Sequence, residues 1–217
     1  MESFGIKATI YDFFAYFMSG VICIVCIIFA IYFSNYDMSV IFNTFKNELF
    51  TELPILLIIF ISTLIVYIFG LLISTISSIL IEKWLMGKIT KLNNYFCFSN
   101  ILNDNVYNLF MQKFTDNYNF TFEKKDIRLV ISSIEEKAVN SYSTAFIFLT
   151  IYGTYRNICT IFFATGLFAI IINIVQCIFP LFGIILMFFS LISLMGYIRF
   201  YRYFISQIVS TYINTNK

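Results

Sequence analysis

The sequence predicts an all-α, polytopic membrane protein with four transmembrane helices and a helical cytoplasmic insert between the second and third. Three observations carry this expectation: a composition suited to lipid, four long apolar runs, and a one-sided distribution of basic residues. Of 217 residues, 60% are hydrophobic and 12% charged, with mean hydropathy +0.86. Soluble domains carry about 25% charged residues, so most of this chain has too little polar surface for water. The formal net charge of +2 gives no bulk attraction to nucleic acid, and direct nucleic-acid binding is not expected.

The first apolar run spans 13–33, 21 residues without a charge. At roughly 1.5 Å per residue this crosses a hydrocarbon core of roughly 30 Å. It is long enough to stay in the membrane and lacks a clear cleavage site, so it does not read as a signal peptide. The second run covers 54–81. Pro54 suits a helix start, where its missing N–H costs nothing. Glu82 and Lys83 close the run, and Trp84 follows at interfacial depth. This run exceeds the membrane's need and is expected to tilt or protrude. The third and fourth, 158–178 and 181–198, read as a tight helical hairpin turned by Pro180 and Gly183. The alternative, a single helix of about 40 residues, is too long for one crossing.

The basic residues orient the spans. Lys7, nine bases between Lys83 and Arg156, and Arg199, Arg202 and Lys217 fall on one side. The other side carries Lys46 alone, against Asp37, Glu48 and Glu52. Both termini and the middle segment are therefore expected in the cytoplasm of a cell whose inner (plasma) membrane holds the chain. The domain reading is 1–81 for the first helix pair, 82–143 for the insert, 144–200 for the second pair and 201–217 for a cytoplasmic tail.

The insert is marginal for an independent core, and is expected to lean on the membrane or a neighbour. Asp104 to Phe114 places Val106, Leu109, Phe110 and Phe114 at helical spacing, with Asp104 as a cap. Glu123 to Ser141 places Ile127, Val130, Ile131 and Ile134 on one stripe, and is expected to run towards the third span. Leu92 to Asn105, rich in Asn, reads as loop or short turns.

There is no histidine, which removes the commonest general base and metal ligand. No phosphate loop, nucleophile elbow or zinc-protease motif occurs. No catalytic residue, cofactor or metal is predicted, and the chain is not expected to be an enzyme. Cys23 and Cys26 form a CxxC, but inside an apolar run, where small packing residues are the simpler reading.

Ionisable groups at membrane depth are costly and mark candidate sites. Arg156 is the lone charge between 145 and 178, and Asp12 directly precedes the first run. The two are expected near the cytoplasmic interface, where they can pair across helices. Asn157, with Tyr11, Tyr16 or Tyr152, can complete a polar latch. Alternatively, Arg156 snorkels to headgroups and Asp12 faces water. Gly70, Ser74 and Ser78 recur every four residues, with Ser77 beside them, and suit close helix packing or a polar path. Ser19–Gly20 and Gly166 offer further close approaches, and Asn173 and Gln176 lie near the outer end of the third span.

Tyr11–Asp12, Tyr16 and Gly20 form YDxxxYxxxG, and Tyr152, Arg156 and Asn157 form YxxxRN. On these motifs, which cover about twenty residues, the chain resembles small four-helix bacterial inner-membrane proteins of antiphage defence operons. These include CRISPR accessory membrane proteins and the membrane subunit of Kiwa; Ser19 stands where that pattern has proline. The resemblance implies an oligomeric membrane accessory or effector, a homo-oligomer with a cytoplasmic protein partner encoded nearby. It would sense that partner or a signal, and alter or anchor at the membrane as a pore or scaffold. The rival from another class is a housekeeping channel or transporter subunit, although no inverted repeat or broken helix supports a carrier. A holin or an integral membrane enzyme ranks lower.

Overall fold

A computed structural model describes residues 13–33, 54–85, 96–123 and 126–215. The described chain is all-α. Helix α1 opens with a π-helical turn, Phe13–Met18, and continues as Ser19–Phe33. Helix α2 runs Ile55–Ser77 and ends in a second π segment, Ser78–Leu85. The insert contributes α3 (Phe98–Ile101), α4 (Asp104–Tyr118) and α5 (Ile127–Lys137). Helices α6 (Val139–Val175) and α7 (Leu181–Thr215) complete the fold. Among the described residues four helices are long and apolar enough to cross a membrane: α1, α2, α6 and α7.

These four alternate in direction, and α6 is the hub. Helices α1 and α2 are antiparallel and close. A Cβ on Gly20 would run into the Val66 carbonyl, and one on Gly70 into the Tyr16 carbonyl. Only glycine permits backbones this near, the small-residue packing that substitutes for hydrophobic drive within lipid. Cys23 and Cys26 are buried and free, in a small apolar cluster with Ile161 of α6.

Helices α6 and α7 form the expected hairpin, but its turn differs in detail. The reversal runs through Gln176 to Pro180, with Cys177 in the left-handed region (φ 56°). Gly183 lies inside α7, where a Cβ would stand 2.5 Å from Ile170 Cγ1 and 2.8 Å from the Gly166 carbonyl oxygen. It is therefore a close-approach residue and not part of the turn. Along the same seam the Ser190 hydroxyl donates to the Cys159 carbonyl (3.0 Å), and Tyr155 stacks on Phe200.

Both hairpin helices outrun a bilayer. From Val175 back to Arg156 there are 19 residue steps, about 28 Å at the α-helical rise. A hydrocarbon layer of roughly 30 Å entered at the hairpin turn would therefore end near Arg156 on α6 and near residue 201 on α7. The insert packs on these extensions. Its core joins Phe98, Phe110, Phe114, Val130 and Ile134 to Phe204, Ile205, Ile208, Val209 and Tyr212 of α7. Lys113 Nζ donates to the Ile213 carbonyl (2.8 Å), and Asn117 Nδ2 to the Tyr212 hydroxyl (2.9 Å). The segment read as a tail is thus helical to Thr215 and supplies five of the twelve buried residues of the insert's core.

Within the insert, α4 begins one residue after Asn103, whose side chain accepts from the Asn105 N–H (3.4 Å). Asn103 is therefore the cap, and Asp104 is the first helical residue, where its charge suits the helix dipole. Asn119, in the left-handed conformation, ends α4. Helix α5 does not run straight into α6. Ala138 (φ −143°, ψ 61°) leaves the helical region and divides them.

Candidate functional site: a polar knot at the insert end of the bundle

Where α1, α2 and α6 meet near the insert, polar side chains replace apolar packing. Arg156 Nη1 pairs with Glu82 Oε1 at 2.6 Å, and Nη2 reaches Ser74 Oγ at 3.2 Å and the Ser74 carbonyl oxygen at 3.5 Å. The Ser78 hydroxyl donates to the other carboxylate oxygen, Glu82 Oε2 (3.0 Å). Ser74, Ser78 and Glu82 stand four residues apart, so all three present one face of α2 to α6. The wider π turn at Ser78–Leu85 carries Glu82, and π segments commonly re-aim side chains at functional positions.

Asn157, fully buried, binds the other two helices together. Its Nδ2 donates to the Ala15 carbonyl (2.8 Å) and lies 3.3 Å from Ser19 Oγ, both on α1. Its Oδ1 accepts from the Ser77 hydroxyl of α2 at 2.6 Å. Both amide hydrogens and the carbonyl oxygen therefore have partners within three helices. A buried amide without such partners would cost several kcal/mol in hydrocarbon.

Of the residues the sequence offered for a polar latch, Arg156 and Asn157 lie side by side in this knot, each with partners not expected from the sequence. Arg156 pairs with Glu82, because the π turn brings the end of α2 alongside α6. Asp12 lies outside the described residues, as does Tyr11. Asn157 bonds to Ser77, Ser19 and the Ala15 backbone. Of the small-residue stripe, Gly70 packs against Tyr16, whereas Ser74 and Ser78 hold the ion pair. Besides Glu82, Ser19 and Ser77 are the site residues that spacing alone did not single out as ligands. Both sit directly beside motif positions, Ser19 before Gly20 and Ser77 before Ser78.

The ion pair is unevenly covered. The Arg156 side chain is 11% exposed and that of Glu82 36%. Arg156 Nε is buried with no hydrogen-bond partner among the described residues. The pair borders an open groove of about 460 Å³ lined by Tyr16, Ser74, Ser78, Lys83 and Arg156 among others. Among the described residues no group of three His, Cys, Asp or Glu side chains could hold a metal ion. At the opposite end of α6, Asn173 is also buried, and its Oδ1 lacks a partner among the described residues.

The four long apolar helices found among the described residues define the chain as a multi-pass membrane protein of the all-helical class. No family model matches the chain, and no curated protein or solved structure resembles it significantly.

Proposed function

We propose that the chain is a non-enzymatic, oligomeric membrane accessory or effector subunit of a bacterial antiphage system. Its insert, on the cytoplasmic side by the distribution of basic residues, receives a protein partner or signal. The helix bundle then alters the membrane or anchors the partner there. The observation that carries this reading is the polar knot. The insert is built onto α6 and α7, whereas α1 and α2 meet that body through Glu82–Arg156 and Asn157. A load on the insert would therefore reach α6 directly, and the polar contacts, with the apolar packing around Ile161, would oppose its movement against α1 and α2. The two short motifs behind the defence resemblance meet in this same knot. Asn157 of the second motif bonds to Ala15 and Ser19, which flank Tyr16 and Gly20 of the first.

The test is phage challenge of cells carrying the native locus with the wild-type chain, Glu82→Gln, or the charge exchange Glu82→Arg with Arg156→Glu. Protection lost in Glu82→Gln at normal membrane abundance, and partly regained in the exchange, supports the proposal. A locus that never protects, or that protects equally with Glu82→Gln, overturns it. The groove beside Arg156 favours one second reading, a channel or transporter subunit with an anion path along α2. Chloride flux in liposomes that falls in Arg156→Gln would select it.

A further inference from the structure

We propose that α7 carries a binding site for an anionic glycerophospholipid at the insert end of the membrane, with Arg199 and Arg202 holding the phosphate. The inference rests on the chain crossing a membrane and is independent of the functional reading above.

Depth is the first observation. Counting from Leu181, Arg199 is 18 and Arg202 21 residue steps along α7. At the α-helical rise these are about 27 and 32 Å, just inside and just outside the far boundary of a hydrocarbon layer of roughly 30 Å. Arg156 stands at the same level on α6, but it has Glu82.

Charge is the second. After Lys137 the sequence contains no Asp or Glu at all. Neither Arg199 nor Arg202 makes an ion pair among the described residues. Arg199 Nε donates to the Tyr203 hydroxyl (3.1 Å), and its guanidinium lies 5.5 Å from that ring's centroid. One edge of the guanidinium is thereby fixed, and the Nη edge remains free for a bidentate oxyanion.

Shape is the third. The two arginines, Tyr203 and Ser206 line a groove of about 600 Å³ between α7 and Ile101 of the insert. Towards the membrane its floor is apolar, formed by Met195 (72% exposed) and Ile198. A headgroup phosphate between the arginines would lay its acyl chain over Met195, and the outer polar end of the headgroup would meet Ser206. A soluble anion would use the arginines and leave that floor bare. Basic grooves at this depth are the expected form of anionic-lipid recognition. A lipid seated here also touches the insert, through Ile101.

The experiment uses the full chain in uncharged detergent, followed by thermal unfolding and native mass spectrometry. The additives are phosphatidylglycerol, phosphatidylcholine or inorganic phosphate. Phosphatidylglycerol should raise the unfolding temperature and remain as a bound adduct, while the other two do neither. Arg202→Gln removes no hydrogen bond or ion pair among the described residues and should weaken the adduct about five-fold. The pair Arg199→Lys with Arg202→Lys keeps the charge and should retain most of it. Equal retention of phosphatidylglycerol by Arg202→Gln, or equal stabilisation by phosphatidylcholine, overturns the proposal. Stabilisation by inorganic phosphate that matches phosphatidylglycerol would overturn it in favour of a soluble-anion site.

Discussion

Replacing Glu82 by Gln keeps the side chain's shape and one acceptor oxygen while removing the charge that balances Arg156. Two unit charges about 4 Å apart attract by about 4 kcal/mol at an effective dielectric of 20. That figure is an upper bound here, because Glu82 is more than one-third exposed and water screens it. Fully exposed pairs contribute about 0.2–1 kcal/mol, and breaking a buried pair costs about 3–5 kcal/mol. With Arg156 only 11% exposed and Glu82 at 36%, Glu82→Gln should cost about 2 kcal/mol. Arg156→Leu should cost less, about 1 kcal/mol, because the remaining carboxylate keeps Ser78 and can reach water. The double variant leaves no unpaired charge and should cost about 1.5 kcal/mol, giving a coupling energy of about 1.5 kcal/mol. The assay is equilibrium unfolding in mixed micelles titrated with sodium dodecyl sulfate. It can be followed by the fluorescence of Trp84, the sole tryptophan, two residues from Glu82. Single-variant costs that simply add, within about 0.5 kcal/mol, would refute the claim that the two charges interact.

Three further outcomes follow from the packing. Asn157→Leu deletes bonds to Ser77, Ser19 and Ala15 and strands their polar groups. At roughly 0.6–1.7 kcal/mol per interhelical hydrogen bond in a membrane, the loss should be about 2–3 kcal/mol by the same titration, and a loss under about 0.5 kcal/mol would contradict the geometry. Gly70→Val forces a side chain into the Tyr16 backbone; disulfide crosslinking between cysteines introduced at Ala15 and Leu71 should drop several-fold, whereas Gly153→Val, which meets nothing within 4 Å, should leave it unchanged. Phe110→Ala empties a fully buried position in the insert core and should cost about 3–5 kcal/mol; limited proteolysis should then cut between α4 and α5 while α6 and α7 stay intact.

The four spans were legible in the sequence because lipid demands long uncharged runs and nothing else in the chain supplies them. The ends of α6 and α7 were not. Beyond the bilayer both helices continue through aromatic sequence, Tyr142 to Tyr155 and Tyr201 to Tyr212, which no hydropathy threshold separates from loop. What keeps those stretches helical is tertiary packing, such as Tyr212 on Phe110 and Tyr152 on Tyr201. Arg156 stood out as a lone charge, but its partner did not. Glu82 reads as the natural stop of an apolar run, and only the Ser74–Ser78–Glu82 spacing hints that it faces the same way as the packing stripe. Asn157 was legible as a polar neighbour of Arg156. Its partners Ser19 and Ser77 were hidden, since a serine in a membrane helix commonly satisfies itself on its own backbone. Gly183 was misread as a turn residue because proline and glycine close together suggest a turn, whereas its lost side chain serves contact with α6.

The separation of Glu82 and Arg156 by 74 positions has a consequence for biogenesis. The α1–α2 hairpin leaves the ribosome and enters the lipid first, bearing a carboxylate at its edge. The α6–α7 hairpin follows with Arg156, Arg199 and Arg202 and no acid of its own. Glu82 and Arg156 each lack their ion-pair partner until the other hairpin arrives, so lateral docking of the two hairpins is favoured by neutralisation. Two fragments divided in the 119–126 segment and co-expressed should accumulate together, and each alone should be cleared faster unless its own charge is removed.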